Sequence, residues 1–143
     1  MTAPLIARLL GLLFLVAGVA ALLPWVAPAA PPDAPWVTLN IAYTMLFWVF
    51  PMNVAHDVLY LFFGAWGIFA GMNFKSAVLY LRSVVWIFLV LVIFGICPLL
   101  NTLFGVAPIY GWDVALHLVI VLLAAFGGYG RGSIAPAVAQ EPS

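Results

Sequence analysis

The stretch PMNVAHDVLYLFFGAWGIFAG, residues 51–71, decides the fold, because it is long and apolar enough to cross a bilayer yet polar at one end. Its polar side chains lie near its start, and its glycines lie in its second half. On a helix, steps of three or four residues keep five of these positions on one face: His56, Tyr60, Gly64, Gly67 and Gly71. Lipid offers no partner to a histidine, so we expect this face to pack against protein.

The composition is that of an integral membrane protein. Of the 143 residues, 68% are hydrophobic and only 6% are charged, whereas a soluble domain has about 25% charged residues. The formal net charge is zero, which disfavours binding to nucleic acid, because no basic patch could neutralise several phosphates. The single cysteine, Cys97, excludes an internal disulfide and a zinc site of several cysteines.

Hydropathy divides the chain into a transmembrane domain, residues 1–129, and a flexible cytoplasmic tail rich in Pro, Ala and Gly, residues 130–143. The domain contains four candidate spans, which cover about residues 5–26, 53–72, 77–97 and 112–129. The apolar run at residues 37–50 is too short to span, so we expect an interfacial or re-entrant segment before the second span. The predicted fold is an all-α integral membrane protein, a four-transmembrane-helix bundle with this extra segment.

The charged residues favour four spans and indicate the orientation. With four spans, the basic residues fall on one side of the membrane and three acidic residues fall on the other: Arg8, Lys75, Arg82 and Arg131 against Asp33, Asp57 and Asp113. Counting residues 37–50 as a fifth span would split the basic residues between the two sides. The positive-inside rule then predicts a multi-pass membrane protein with both termini in the cytoplasm.

An internal repeat links the two halves of the chain. The segment LFWVFPMNVAHDVLYLFFGAWGIFAG, residues 46–71, aligns with LFGVAPIYGWDVALHLVIVLLAAFGG, residues 103–128, at an offset of 57 residues. Spans one and three also share an arginine followed sixteen residues later by a proline: Arg8 and Pro24, then Arg82 and Pro98. Because each repeat holds an even number of spans, we expect two parallel two-helix repeats related by an axis along the membrane normal.

The repeat brings the polar residues of spans two and four into correspondence. His56 aligns with Asp113, and Tyr60 aligns with His117, so each helix carries two polar groups one turn apart. We expect a polar interhelical cluster in the outer half of the membrane, formed by Asn53, His56, Tyr60, Asp113 and His117. Small residues follow on the same faces and are expected to mediate helix packing: Gly64, Gly67, Gly71, Ala124 and Gly128.

These motifs resemble a bacterial membrane family catalogued as domain of unknown function 4383, over about residues 7–129. The resemblance is carried by ARLLGLLFLVAGVAALLP, by the two aligned segments above and by YLRSV at the entry to span three. Sequences of this family resemble one another in two patterns, N-x-x-H-N-x-x-H in span two and D-x-x-x-H in span four. The residues that match are Asn53, His56, Asp113 and His117. Asp57 and Tyr60 depart from the pattern, which has a histidine where Tyr60 stands. The resemblance implies the fold and a location in the bacterial inner membrane, but it implies no chemistry.

The polar cluster admits several interpretations. Hydrogen bonds between spans two and four would fix the helix register, at about 0.6–2 kcal/mol each. Two histidines and a carboxylate also suit a divalent metal. However, a structural metal normally takes four ligands, and only Asp113 and His117 have a known relative placement, so the sequence assigns no metal site. His56 or His117 could instead be cofactor-binding residues for haem or chlorophyll, although the two histidines differ in depth by one turn.

The sequence contains no motif of a familiar enzyme class, so we expect no catalytic residues. We expect a structural or accessory subunit of a larger membrane assembly, in contact with the lipid bilayer and with other membrane protein subunits. Candidate lipid or partner contacts are the aromatic residues Phe62, Phe63, Trp66, Trp86 and Phe88. The alternative is a membrane protein that binds a ligand, metal or cofactor at the cluster, or a small transporter. The sequence identifies no particular cofactor, and it shows no polar path through the inner half of the membrane.

Overall fold

The computed structural model describes residues 2–130 and shows four α-helices, a small two-stranded hairpin between the first two and a short 3-10 turn, Leu103–Gly105, between the last two. The elements are α1 Ala3–Ala20, β1 Thr44–Leu46, β2 Phe50–Met52, α2 Val54–Ala70, α3 Phe74–Ile96 and α4 Trp112–Tyr129. The predicted tail lies outside the described residues, apart from Gly130.

Three of the described helices, α1, α3 and α4, are long and apolar enough to cross a membrane. The fourth, α2, is an apolar helix of 17 residues. Their lengths and composition are those of a membrane protein, in agreement with the sequence.

Two helix bounds differ by more than two residues from the predicted spans. Helix α1 ends at Ala20, and the chain then continues in tighter turns, in which Leu22 and Leu23 donate to carbonyls three residues back. Pro24 explains this change, because a proline disfavours helical geometry in the residue before it. Helix α3 begins at Phe74, before residue 77, because the Asn73 side chain accepts a bond from the backbone N–H of Ser76 and caps the helix.

The segment that was expected to be interfacial or re-entrant, residues 37–50, contains no helix. It contains β1 and the turn of the β1–β2 hairpin, in which Thr44 pairs with Met52. Phe47 and Trp48 turn the hairpin with positive φ angles of 52° and 61°.

The loop before α4, residues 97–111, turns in a related way. The backbone N–H of Ile109 donates to the Asn101 carbonyl at 2.8 Å, and these two residues lie 57 positions after Met52 and Thr44. Phe104 and Gly105 have positive φ angles of 57° and 85°. They occupy the positions that the alignment assigns to Phe47 and Trp48.

The helices form two hairpins, in which α1 packs mainly on α2 and α3 mainly on α4. Phe14, Tyr80 and Phe88 are among the largest fully buried side chains of the core between them. Phe88 and Phe63 are 1% and 6% exposed, so the expectation that they contact lipid or a partner was wrong, whereas Phe62 is 58% exposed.

Glycines set the close approach within the first hairpin. A Cβ added to Gly11 would lie 2.7 Å from the Ile68 nitrogen and 2.8 Å from the Gly64 carbonyl oxygen, and one added to Gly67 would lie 2.8 Å from the Gly11 Cα. The glycines predicted to mediate packing on α2 therefore face α1, whereas His56 on the same helix faces α4. The predicted Ala124 on α4 is fully buried.

Each hairpin is also closed by an arginine. Arg8 Nε on α1 donates to the Gly71 carbonyl at 2.9 Å, and Arg82 Nε on α3 donates to the Gly128 carbonyl at 2.9 Å. In both cases the arginine binds the last turn or cap of the partner helix, where carbonyl groups lack helical partners.

Gly11→Ala is expected to lower the free energy of unfolding by about 2 kcal/mol, because the new methyl group meets backbone atoms that cannot rotate away. Gly18→Ala on the same helix is the matched control, since its Cβ would meet mainly the Leu61 side chain, at 3.2 Å. That side chain can shift, so the control should be neutral or slightly stabilising. Equal midpoints for the two variants, measured by denaturant unfolding in detergent, would contradict the packing described here.

Candidate functional site

The polar end of α2 is organised by Asn53, which is fully buried. Its Oδ1 accepts the backbone N–H of His56 at 3.2 Å and caps the helix. Its Nδ2 donates to the carbonyls of Leu39 and Val106, both at 2.8 Å. One side chain therefore holds the start of α2 and both long loops in place. The cap could be read from the sequence, but the two carbonyl partners could not, because they lie 14 and 53 residues away.

Beyond this cap, three ionisable side chains converge between α2 and α4. His56 lies on α2, and Asp113 and His117 lie one turn apart on α4. Asp113 Oδ2 lies 3.9 Å from His56 Nε2 and 3.5 Å from His117 Nδ1. One ligand atom from each residue falls within 4.8 Å of the others. We call these three residues the triad.

The triad is sealed from solvent and is poorly satisfied by the protein. His56 is 3% exposed, and Asp113 and His117 are 0% exposed. Among the described residues, neither carboxylate oxygen of Asp113 has a hydrogen-bond partner, and neither does the Nδ1 atom of either histidine. Buried polar groups are normally hydrogen-bonded, so four unpartnered atoms in one place need a physical explanation.

Tyr60 completes the predicted cluster. Its hydroxyl lies 3.3 Å from His117 Nε2, and this is the one hydrogen bond found between α2 and α4 side chains of the cluster in the described part of the chain. This contact occupies Nε2 and leaves Nδ1 of His117 facing Asp113. Two aromatic rings pack against the cluster. The centroid of the Phe88 ring lies 5.0 Å from that of His117, and the centroid of the Phe14 ring lies 5.2 Å from that of Tyr60.

Asp57 lies close to the triad in sequence but not among its contacts. It occupies the first turn of α2, where the helix dipole favours a negative charge. The side chain is 3% exposed and its two oxygens have no hydrogen-bond partner within residues 2–130.

Two tyrosines that the sequence did not single out for the cluster join the loops that precede α2 and α4. The Tyr43 hydroxyl donates to the Pro35 carbonyl at 2.9 Å and lies 2.8 Å from the Tyr110 hydroxyl. Burial raises the pKa of Tyr43 and, less strongly, that of Tyr110 above the usual tyrosine value. Both hydroxyls therefore stay protonated and keep their hydrogen bonds across the physiological range.

The geometry argues against a porphyrin between the histidines. Their rings lie 6.2 Å apart at an interplanar angle of 23°. Asp113 Oδ2 occupies the space within 4 Å of a nitrogen from each ring, where the macrocycle of a bis-histidine haem would have to pass. One ligand atom from each of the three residues lies within 4.8 Å of the others, a spacing that a single ion can bridge.

No curated protein and no solved structure matches this chain. Its residues 5–129 match the family described as domain of unknown function (DUF4383), so the match covers nearly all of the described chain. The protein therefore belongs to this family, as the motifs of the sequence indicate.

Proposed function

We propose that the protein is a non-catalytic integral membrane protein that serves as a structural or accessory subunit of a larger membrane assembly. The observation that carries this proposal is the sealing of the polar site, because the three residues of the triad are at most 3% exposed. A catalytic site must admit its substrate, and its polar groups normally line an open cleft.

We propose further that all four helices cross the bacterial inner membrane, with both termini in the cytoplasm. At a rise of about 1.5 Å per residue, the 17 residues of α2 extend roughly 26 Å, close to the hydrocarbon thickness of about 30 Å. Arg8 and Arg82 bind the far ends of α2 and α4, which puts both arginines at one end of the bundle, in accord with the positive-inside rule. With Cys97 replaced by alanine, a cysteine introduced at Ser76, in the first turn of α3, should react with a membrane-impermeant thiol reagent only from the cytoplasmic side.

Duplication of a helical hairpin is part of this proposal. It is supported by the matched arginine–glycine bonds and by the matched turns at Phe47 and Phe104. It also accounts for the contacts of the triad. A two-fold axis along the membrane normal brings equivalent positions to the same depth, and the equivalent residues His56 and Asp113 lie near each other.

The surface offered to a partner is an apolar groove between α1 and α4. It is lined by Ile6, Leu9, Leu10, Leu13, Leu123 and Phe126. Lipid could cover such a surface, but a transmembrane helix of another subunit would fill it with better packing, because association in the membrane depends on van der Waals contact.

Purification in mild detergent from the native membrane should yield a stoichiometric membrane partner. Leu123→Trp, which fills the groove, should release the partner and leave the fold intact. Leu79→Trp is the matched control, since Leu79 is a leucine on α3, is 63% exposed and lies outside the groove. Purification of a monodisperse protein without a partner would contradict the accessory role. Equal loss of the partner from both variants would contradict binding at this groove.

A further inference from the structure

We infer that His56, Asp113 and His117 form a binding site for one divalent transition-metal ion, with Zn²⁺ the best match, and that this ion joins α2 to α4. The inference stands apart from the accessory role, because it requires only the triad and not a partner subunit.

The ligand chemistry selects the class of ion. Two imidazole nitrogens and one carboxylate oxygen suit zinc and its transition-metal neighbours, whereas Mg²⁺ and Ca²⁺ prefer shells of oxygen. The triad offers this set from two helices that belong to different hairpins, with Asp113 between the two histidines.

The distances between the ligand atoms, all within 4.8 Å, are compatible with four-coordinate geometry. Bonds of about 2.0–2.1 Å in a tetrahedral site put neighbouring ligand atoms roughly 3.3 Å apart. The observed separations from Asp113 Oδ2 are 3.5 Å to His117 Nδ1 and 3.9 Å to His56 Nε2. Side-chain rotations that move these atoms by less than about 1 Å would bring all three onto one ion.

Three of the four unpartnered atoms of the triad are atoms that an ion would use, and the fourth is His56 Nδ1, the ring nitrogen opposite the proposed ligand atom Nε2. Both oxygens of Asp113 are buried without a hydrogen bond from the described residues, and His117 Nδ1 is in the same condition. Burying a carboxylate unpaired is highly unfavourable, and a cation at this point removes the penalty. Either Asp113 Oδ1 or one water completes the fourth position.

Tyr60 acts as the positioning residue of the site. The Tyr60 hydroxyl lies 3.3 Å from His117 Nε2. When Nε2 carries the proton and donates to this oxygen, Nδ1 holds a lone pair directed toward Asp113. In a metal-bound histidine, the ring nitrogen that does not bind the metal usually donates a hydrogen bond, and this bond fixes the tautomer and the ring orientation.

The experiment uses the purified full-length protein, stripped with a chelator and dialysed to equilibrium against Zn²⁺ alone. We expect one zinc per chain by elemental analysis and a dissociation constant below about 1 µM. Cobalt in place of zinc should give the intense visible absorption of a four-coordinate nitrogen and oxygen site. A wild-type protein that retains no zinc after dialysis overturns the inference.

Variants assign the ligands. His117→Gln and His56→Gln should each weaken zinc binding at least 100-fold, and Tyr60→Phe should weaken it by roughly 10-fold and shift the cobalt spectrum. Helix content and a monodisperse elution in the absence of metal identify variants that fold. If one glutamine variant fails to fold, the other still decides the question.

Asp57→Asn is the matched control for the carboxylate, because Asp57 is also buried, at 3% exposure against 0% for Asp113, and its oxygens also lack a partner among the described residues, but it lies outside the triad. It should bind zinc with unchanged affinity. Zinc binding that survives both glutamine variants, or that Asp57→Asn abolishes, would overturn the assignment of the ligands.

Discussion

Asn53→Asp should lower the free energy of unfolding by about 3–5 kcal/mol, although it replaces one good helix cap by another. The cause is the amide nitrogen of the side chain, which aspartate lacks. Nδ2 of Asn53 donates two hydrogen bonds, to Leu39 and Val106, and an aspartate would place an oxygen against those two carbonyl oxygens. The site is fully buried, so the acceptors would lose their donors and water could not replace them.

Asn73→Asp provides the matched control. Asn73 caps α3 through a bond from the Ser76 backbone N–H at 2.9 Å, but its side chain is exposed. Aspartate is as good a cap as asparagine, so this variant should stay within about 0.5 kcal/mol of the wild type. Denaturant unfolding in detergent measures both. If the two variants lose the same stability, Asn53 acts as a cap and not as the junction of the two loops.

The helices of this fold could be predicted from hydropathy, but the loops could not, for a local reason. Left-handed turns are usually marked by Gly or Asn, whereas Phe47 and Trp48 adopt positive φ in the first loop. Residues 37–50 are expected to be interfacial or re-entrant because the run is too short to span, and no Gly or Asn stands at positions 47 and 48 to indicate the turn. The related turn at Phe104 and Gly105 does contain a glycine. The turn of the β1–β2 hairpin could therefore be predicted only from the alignment of the two loops.

The candidate site was partly predictable for a similar reason. Alignment of the two halves pairs His56 with Asp113 and Tyr60 with His117, and those are the pairs that lie close in the structure. The alignment predicts how deep these four side chains lie along α2 and α4. It cannot predict the distances between the two helices, because these distances depend on how the two hairpins pack. For the same reason, a third metal ligand could not be assigned.

Asp113→Asn should abolish metal-dependent stability without destabilising the metal-free protein. At free zinc 1,000-fold above the dissociation constant, a site that is present only in the folded state adds about 4 kcal/mol to the free energy of unfolding. The wild type should show this gain, and the asparagine variant should not, since an amide oxygen is a poor ligand for zinc.

The stability of the metal-free protein decides whether Asp113 is an unpaired carboxylate that awaits a metal ion or the ionic partner of a protonated histidine. Asn has the shape of Asp, carries no charge and can donate to the unprotonated nitrogen of either histidine, so an unpaired carboxylate replaced by it should leave stability unchanged or raise it by about 1–2 kcal/mol. If Asp113 instead stabilises the bundle as the ionic partner of a protonated histidine, the same substitution breaks a buried pair and lowers stability by about 3–5 kcal/mol with no metal present. The two explanations thus differ in the sign of one measurement, made on a variant that removes no volume from the core.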